Sequence, residues 1–129
     1  MAGVTLDAGP LIAADRGDRA FWIWWKLATR SGIVAAVPTT VIAQVWRGRR
    51  QARLAQVISG CQPVPLDLTI ARAAGELCAR SRTADIVDAS VIAVAASRGD
   101  DVLTGDLADL ERLAALAKGI GRLRALRAT

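Results

Sequence analysis

The sequence predicts a three-layer α/β domain, a central parallel sheet of four to five strands with helices on both faces. Three observations predict it. Short apolar runs such as Val4-Thr5-Leu6 and Val102-Leu103-Thr104 alternate with longer segments of helical period, the pattern of repeated βα units. Two of the runs lead to a carboxylate, Asp7 and Asp106, at the end of the strand where open parallel sheets bind ligands. The 129 residues, 53% of them hydrophobic, suffice for one core and fall short of two. A single domain spanning residues 1–129 is expected.

Each element has a local reason. Val4 to Asp7 reads as a buried strand, followed by the breaker pair Gly9-Pro10 and the start of a helix over Leu11 to Asp15. Gly17-Asp18 marks a turn, with Asp18 as N-cap of a helix over Arg19 to Arg30 that Ser31-Gly32 stops. Ile33 to Val37 is a second strand, ended by Pro38. Thr39 or Thr40 caps a helix through Arg47, and Gly48 breaks it. Arg49 to Ser59 is a further helix, ending at Gly60. Val64-Pro65-Leu66-Asp67 suits an edge strand, where proline is best tolerated. Leu68 to Arg80 has apolar residues at helical spacing. Asp85 to Arg98 is a helix stopped by Gly99, Val102 to Thr104 a strand, Leu107 to Lys118 an amphipathic helix, and Ile120 to Leu123 a weak last strand.

Composition excludes several chemistries. There is no histidine, so Ser-His and Cys-His nucleophile systems and imidazole acid–base pairs are absent. No tyrosine is available for a covalent phosphotyrosine link. Cys61 and Cys78 are too far apart for a metal-ligand pattern, and two reduced thiols of a cytoplasmic protein are expected. No apolar run approaches a membrane span, and the N-terminus does not read as a secretory signal. Lys and Arg number 17 against 12 acids, and only Lys26 and Lys118 are lysines. Arginine forks onto phosphate, so the bias suits a nucleic-acid or acidic-protein partner; an alanine- and arginine-rich chain from a GC-rich genome, where Arg replaces Lys throughout, explains it equally well. Position adds to the first reading, because Arg47, Arg49, Arg50 and Arg53 crowd one stretch without an acid. Basic clusters beside an acidic pocket are what an enzyme cleaving a polyanion needs.

The acids are the chemistry-bearing residues. Asp7 and Asp106 each follow a buried strand, as metal ligands or as helix caps, and metal binding is the favoured reading for both. Asp85 and Asp88, three apart, share a helix face. Asp85 stands where an N-cap belongs, a capping residue first and a ligand second. Asp88 lies among Val87, Ala89, Val91 and Ile92 and is the favoured ligand. Asp109 reads as a helix-surface charge close enough to Asp106 to assist. Asp15, Asp18, Asp100 and Asp101 fall in turns and need no special role. Phe21 to Trp25 carries four aromatic residues, which fill the core, form a patch for a partner or stack on bases; partner binding is favoured.

These segments together resemble a known family. Leu6-Asp7-Ala8-Gly9-Pro10-Leu11-Ile12-Ala13, Asp88-Ala89-Ser90-Val91-Ile92-Ala93 and Leu103-Thr104-Gly105-Asp106 look like the signature of PIN-domain nucleases. The closer resemblance is to the VapC-type toxins of bacterial toxin–antitoxin pairs. It extends to Arg47-Gly48-Arg49-Arg50-Gln51-Ala52-Arg53-Leu54 and Pro65-Leu66-Asp67. The resemblance implies a PIN-like α/β/α domain with a five-stranded parallel sheet whose first and fourth strands are neighbours. It implies Mg²⁺ or Mn²⁺ held by Asp7, Asp88 and Asp106, cleavage of RNA, restraint by a cognate antitoxin, and a homodimer.

One position departs from the pattern. The family places a Glu on the helix after the second strand, and here Gln44 stands there. An amide accepts a hydrogen bond but brings no charge to a hard cation, a loss of a few kcal/mol (about 1–4) after screening. Neither Asp67 nor Glu76 replaces it, and Asp85 is the nearest substitute. The expected site is thus Asp7, Asp88, Asp106 and Gln44, supported by Thr104 and Asp85, with Arg47, Arg49 and Arg50 on RNA phosphates. Two function classes follow: a metal-dependent endoribonuclease, or a PIN-fold RNA- or antitoxin-binding protein with a site impaired by Gln44. A phosphatase of the haloacid dehalogenase type needs an acid at position 9, which is Gly, and a receiver domain needs a strand-end lysine that is missing.

Overall fold

β1 (Val4–Leu6) is buried along its whole length because it occupies the middle of the sheet. The computed structural model describes residues 3–126. After β1 come α1 (Ala8–Asp15), α2 (Arg19–Arg30), β2 (Ala36–Pro38), α3 (Thr39–Val45), α4 (Ala52–Ser59) and β3 (Gln62–Val64). The second half adds α5 (Leu68–Ser81), α6 (Ile86–Arg98), β4 (Asp101–Thr104), α7 (Leu107–Ala114) and β5 (Leu123–Ala125). The sheet order is β3-β2-β1-β4-β5, with every pair parallel. The chain leaves β1 towards β2 and β3 but leaves β4 towards β5. The topological switch point therefore lies between β1 and β4, as the family resemblance implies.

The crossovers between parallel strands distribute the helices over two faces. α1 packs on α2 and α4, while α5, α6 and α7 pack on one another. α3 touches both α1 and α6. The core is continuous from Phe21, Leu11 and Leu54 through Leu6, Val37 and Val102 to Val91, Ile92 and Val94. α6 buries Ala89 through Ala95 without interruption, which is why its sequence shows little amphipathic periodicity. Among the described residues no helix is long and apolar enough to cross a membrane.

Several boundaries differ from the sequence expectation, each for a visible reason. α1 begins at Ala8, so Gly9-Pro10 lies inside its first turn, where proline's missing N–H costs nothing. β2 starts at Ala36, not Ile33, because Ile33 still serves α2: its N–H donates to Ala28 O at 3.0 Å across Gly32 at φ +75, a Schellman closure. α3 stops at Val45 and α4 starts at Ala52, leaving Arg47, Arg49 and Arg50 in an exposed connection. Neither Thr39 nor Thr40 caps α3. Thr39 Oγ1 instead accepts from Leu66 N at 3.3 Å, and Thr40 shares a 2.6 Å hydroxyl contact with Ser90. β3 is the predicted proline-bearing edge strand, shifted to Gln62–Val64. α7 ends at Ala114 and the last strand moves to Leu123–Ala125. Asp100 and Asp101, read from sequence as turn residues, are instead 2% and 5% exposed. Asp100 accepts from the Thr5 hydroxyl and pairs with Arg98, both at 2.9 Å. Asp101 accepts from Arg122 N at 2.8 Å and pairs with Arg124 at 2.8 Å. Buried carboxylates require such partners, and these two tie β1, β4 and β5 together at their amino ends.

Candidate acidic site at the switch point

Asp7 lies at the carboxyl end of β1, 8% exposed, with its backbone N–H donating to Leu103 O at 3.0 Å. The β1–β4 ladder thus continues up to the residue itself. The register pairs Leu6 with Leu103, which sets Asp7 beside Thr104. The Thr104 hydroxyl, fully buried, donates to Asp7 Oδ2 at 2.8 Å and accepts from Asp106 N at 3.0 Å. One hydroxyl therefore joins two acids 99 positions apart in sequence numbering (106 − 7). Asp7 Oδ1 accepts from Ala8 N at 2.8 Å and so also caps α1. Asp106 caps α7 through Ala108 N at 3.1 Å. Both Asp7 oxygens thus accept one hydrogen bond each, from Ala8 N and the Thr104 hydroxyl, whereas the cap of α7 uses only Asp106 Oδ1; a carboxylate oxygen has lone pairs for a cation beside such a bond.

The approach of the two strand ends depends on glycine. A Cβ on Gly9 would stand 2.8 Å from Gly105 N and 2.9 Å from Gly105 Cα, closer than real Cβ atoms come to backbone. The turn after β1 and the turn after β4 touch main chain to main chain.

α6 brings the other acids. Asp85 is its N-cap, accepting from Asp88 N at 3.0 Å. The Thr83 hydroxyl accepts from Asp85 N at 3.3 Å. Asp88 is half-buried. Burial first, then the charges of Asp85 and Asp7, a hydrogen bond to Asp85 and the charge of Asp109 push its carboxyl from 3.8 up to about 7. Asp109, exposed one turn into α7, is also raised, chiefly by Asp106. Asp88 thus feels the charges of Asp7, Asp85 and Asp109, and Asp109 those of Asp106, Asp85 and Asp7. Asp109, read from sequence as a surface charge close enough to Asp106 to assist, is exposed and feels the Asp106 charge first, as its spacing of three from that N-cap suggests.

Gln44 is exposed on α3, one turn after Thr40 and so on the same face, the face that reaches Ser90 of α6. Arg47 does not stand free: its guanidinium donates to Ala43 O at 3.3 Å and Trp46 O at 2.8 Å, closing the end of α3. Gln51 pins the connection, accepting from Arg47 N and Gly48 N and donating to Val45 O. Arg49 and Arg50 are exposed, Arg50 in the left-handed region at φ +57. Of the aromatic segment, Phe21 is fully buried and Trp22, Trp24 and Trp25 are half-buried. The exposed apolar residues of α2 are instead Ile23 and Leu27.

The residues suit a hard divalent cation in kind. Every donor is a carboxylate oxygen, the preference of Mg²⁺ and Mn²⁺. Among the described residues, none of the five acids is in an ion pair. No three acidic or thiol groups there stand close enough to share one ion, so closing on a cation requires side-chain rotation.

The PIN domain matches residues 5–116 of the chain. No curated protein matches it in sequence. Among solved structures it is similar to VapBC2 from Rickettsia felis bound to a promoter DNA fragment, at 12% identity and TM-score 0.73, covering 96% of this chain and 98% of that one. DNA-bound VapBC from Salmonella typhimurium is 19% identical, with TM-score 0.72 and coverage of 98% and 100%. VapBC-5 from Mycobacterium tuberculosis, a member of the VapBC family of toxin–antitoxin systems, is 26% identical, with TM-score 0.56 and coverage of 96% and 99%. With the β3-β2-β1-β4-β5 sheet and an acidic cluster at its switch point, the match over residues 5–116 means that this chain belongs to the PIN domain family.

Proposed function

We propose that this chain is a metal-dependent endoribonuclease of the VapC type, a toxin restrained by a cognate antitoxin. The observation that carries this reading is the Thr104 hydroxyl that joins Asp7 to Asp106 at the β1–β4 switch point, with Asp88 near enough to Asp7 to feel its charge. In it, Asp7, Asp88 and Asp106 hold Mg²⁺ or Mn²⁺. Bound there, the cation supplies Lewis acidity, lowering the pKa of water and offsetting charge on the phosphodiester. Thr104 holds Asp7 Oδ2 in place and leaves its carboxylate oriented by two hydrogen bonds. Burial and the neighbouring acids raise the Asp88 carboxyl to about 7, so a cation held beside it would favour its ionised form. The chain has no histidine, so carboxylates and a metal carry the work that imidazole does elsewhere.

Residues 1–129 are read as one PIN-like domain, cytoplasmic and homodimeric. An antitoxin is supported by the toxin–antitoxin complexes among the structural relatives. The exposed pair Ile23 and Leu27 on α2, with Lys26 and Arg30 beside it, offers an apolar, basic face for it. Arg49 and Arg50 remain exposed for RNA phosphates, whereas Arg47 must first release α3.

A second reading is favoured by Gln44 and by the separation of the acids: a PIN-fold RNA- or antitoxin-binding protein with an impaired site. Incubation of a total-RNA pool with the antitoxin-free protein in Mg²⁺, Mn²⁺ or EDTA, beside Asp7→Asn, separates the two. Discrete fragments that disappear in EDTA and in Asp7→Asn establish the nuclease. A folded protein that cuts nothing in Mn²⁺, but gains metal-dependent cleavage as Gln44→Glu, establishes the impaired site.

A further inference from the structure

Beside the acids lies a cavity of about 230 Å³ whose walls include Thr83, Asp88, Asp109, Arg112 and buried Leu113. Asp88 and Asp109 line the cavity and also belong to the acidic group, so the two adjoin. Arg112 stands three residues after Asp109 on α7, yet among the described residues it is in no ion pair. Three other arginines are engaged, Arg98 and Arg124 with buried acids and Arg47 with the carbonyls of α3; what sets Arg112 apart from the exposed remainder is its place on this wall. Arg112 is thus an uncommitted guanidinium on the wall next to a group of carboxylates that, alone, would repel a polyanion.

We propose that this cavity is a nucleotide subsite of the RNA path, in which Arg112 grips the phosphate next to the one that is cut. The inference rests on the ribonuclease reading and adds to it a positioning residue and a direction for the strand, along α7 from Asp88 and Asp106. A guanidinium presents a planar fork that matches two phosphate oxygens. The cavity is smaller than the roughly 300–1,000 Å³ of pockets that enclose a whole drug-sized ligand, which suits one unit of an extended polymer. The Thr83 hydroxyl and Asp109 carboxylate on the same walls can meet ribose or base hydrogen-bonding groups.

The test is anisotropy of a short fluorescein-labelled single-stranded RNA of randomised sequence, in EDTA so that nothing is cut, across a KCl series. Arg112→Ala is expected to weaken binding about three- to tenfold and to reduce the log–log salt slope by about one. Arg112→Lys keeps the slope, and Arg72→Ala, which removes the same charge from an exposed position on α5, leaves binding within twofold of wild type. Cleavage kinetics in Mn²⁺ supply an independent readout: Arg112→Ala raises KM with kcat little changed, and Arg112→Lys recovers it. Thermal melting establishes that each variant is folded. Wild-type cleavage with Arg112→Ala binding and cutting like wild type overturns the subsite and leaves the nuclease standing. RNA binding that depends on Arg112 in a protein that never cleaves sustains the subsite and removes the nuclease. Folded wild type that neither binds RNA in EDTA nor cleaves it in Mn²⁺ overturns both, and cleavage in Mn²⁺ with no effect of Arg112→Ala overturns the subsite alone.

Discussion

Gly9 and Gly105 meet backbone to backbone where β1 and β4 end, with no room for a Cβ on Gly9 within 2.8 Å of Gly105 N. That contact sets how close Asp7 and Asp106 come, since each lies within two residues of one of the glycines. It also makes the small residue at position 9 a requirement of the site as much as of the fold.

Gly9→Ala tests this directly. Alanine is the better helix former, and Gly9 lies in α1, so propensity alone predicts a gain. The collision with Gly105 decides otherwise, and a loss of about 1–3 kcal/mol is expected. Urea unfolding measures it, and cleavage per folded molecule falls further than stability does. Unchanged or raised stability sinks the argument.

Thr104→Val keeps the shape of a fully buried side chain and removes only the hydroxyl between Asp7 and Asp106. Hydrogen bonds to charged groups contribute about 1.5–3 kcal/mol, so destabilisation in that range is expected, with Asp7 released from its orientation. Thr104→Ser restores the hydroxyl and recovers most of the lost activity; failure of serine to rescue would assign Thr104 to packing.

The metal-free protein has a pH signature. Asp88 is raised from 3.8 to about 7 in the fold, so between those values the folded chain holds a proton that the unfolded chain has released. The folded state is favoured by this group below about pH 4, and that advantage is lost as pH climbs through 7. In EDTA, thermal stability should decline over this window. Asp88→Asn should flatten the decline and raise the neutral-pH Tm by about 2–5 °C. A wild-type profile no steeper than that of Asp88→Asn would show that the acids do not repel as described.

The opposite end of the sheet is expected to govern stability alone. Asp100 is buried against Thr5 and Arg98, and Asp100→Ala strands the Thr5 hydroxyl, costing about 2–4 kcal/mol. Arg124 is largely exposed where it meets Asp101, so Arg124→Ala should cost no more than about 1 kcal/mol. Denaturant midpoints compare the two, and cleavage per folded molecule should be the same in both as in wild type.

Local chemistry made much of this protein legible. The alternation of β-branched runs with helical segments predicts the parallel three-layer fold. Asp18 and Asp85 are readable as helix caps because capping acts over three residues. Asp7, Asp88 and Asp106 stood out because each carboxylate follows or interrupts an apolar segment. Boundaries were less legible where one residue serves two elements: Ile33 closes α2 when its composition suggests a strand. The roles of Asp100 and Asp101 were not legible because three of their four partners, Thr5, Arg122 and Arg124, are distant in sequence, Arg98 alone being local. Only tertiary structure decided that Thr104 joins Asp7 to Asp106, that Gly9 must yield to Gly105, that Arg47 folds back on its own helix and that Arg112 lines one cavity with Asp88 and Asp109. Sequence determines what a segment prefers through interactions a few residues long. Which distant side chains share a pocket depends on strand order and register, and β1 became the neighbour of β4 only when the sheet assembled.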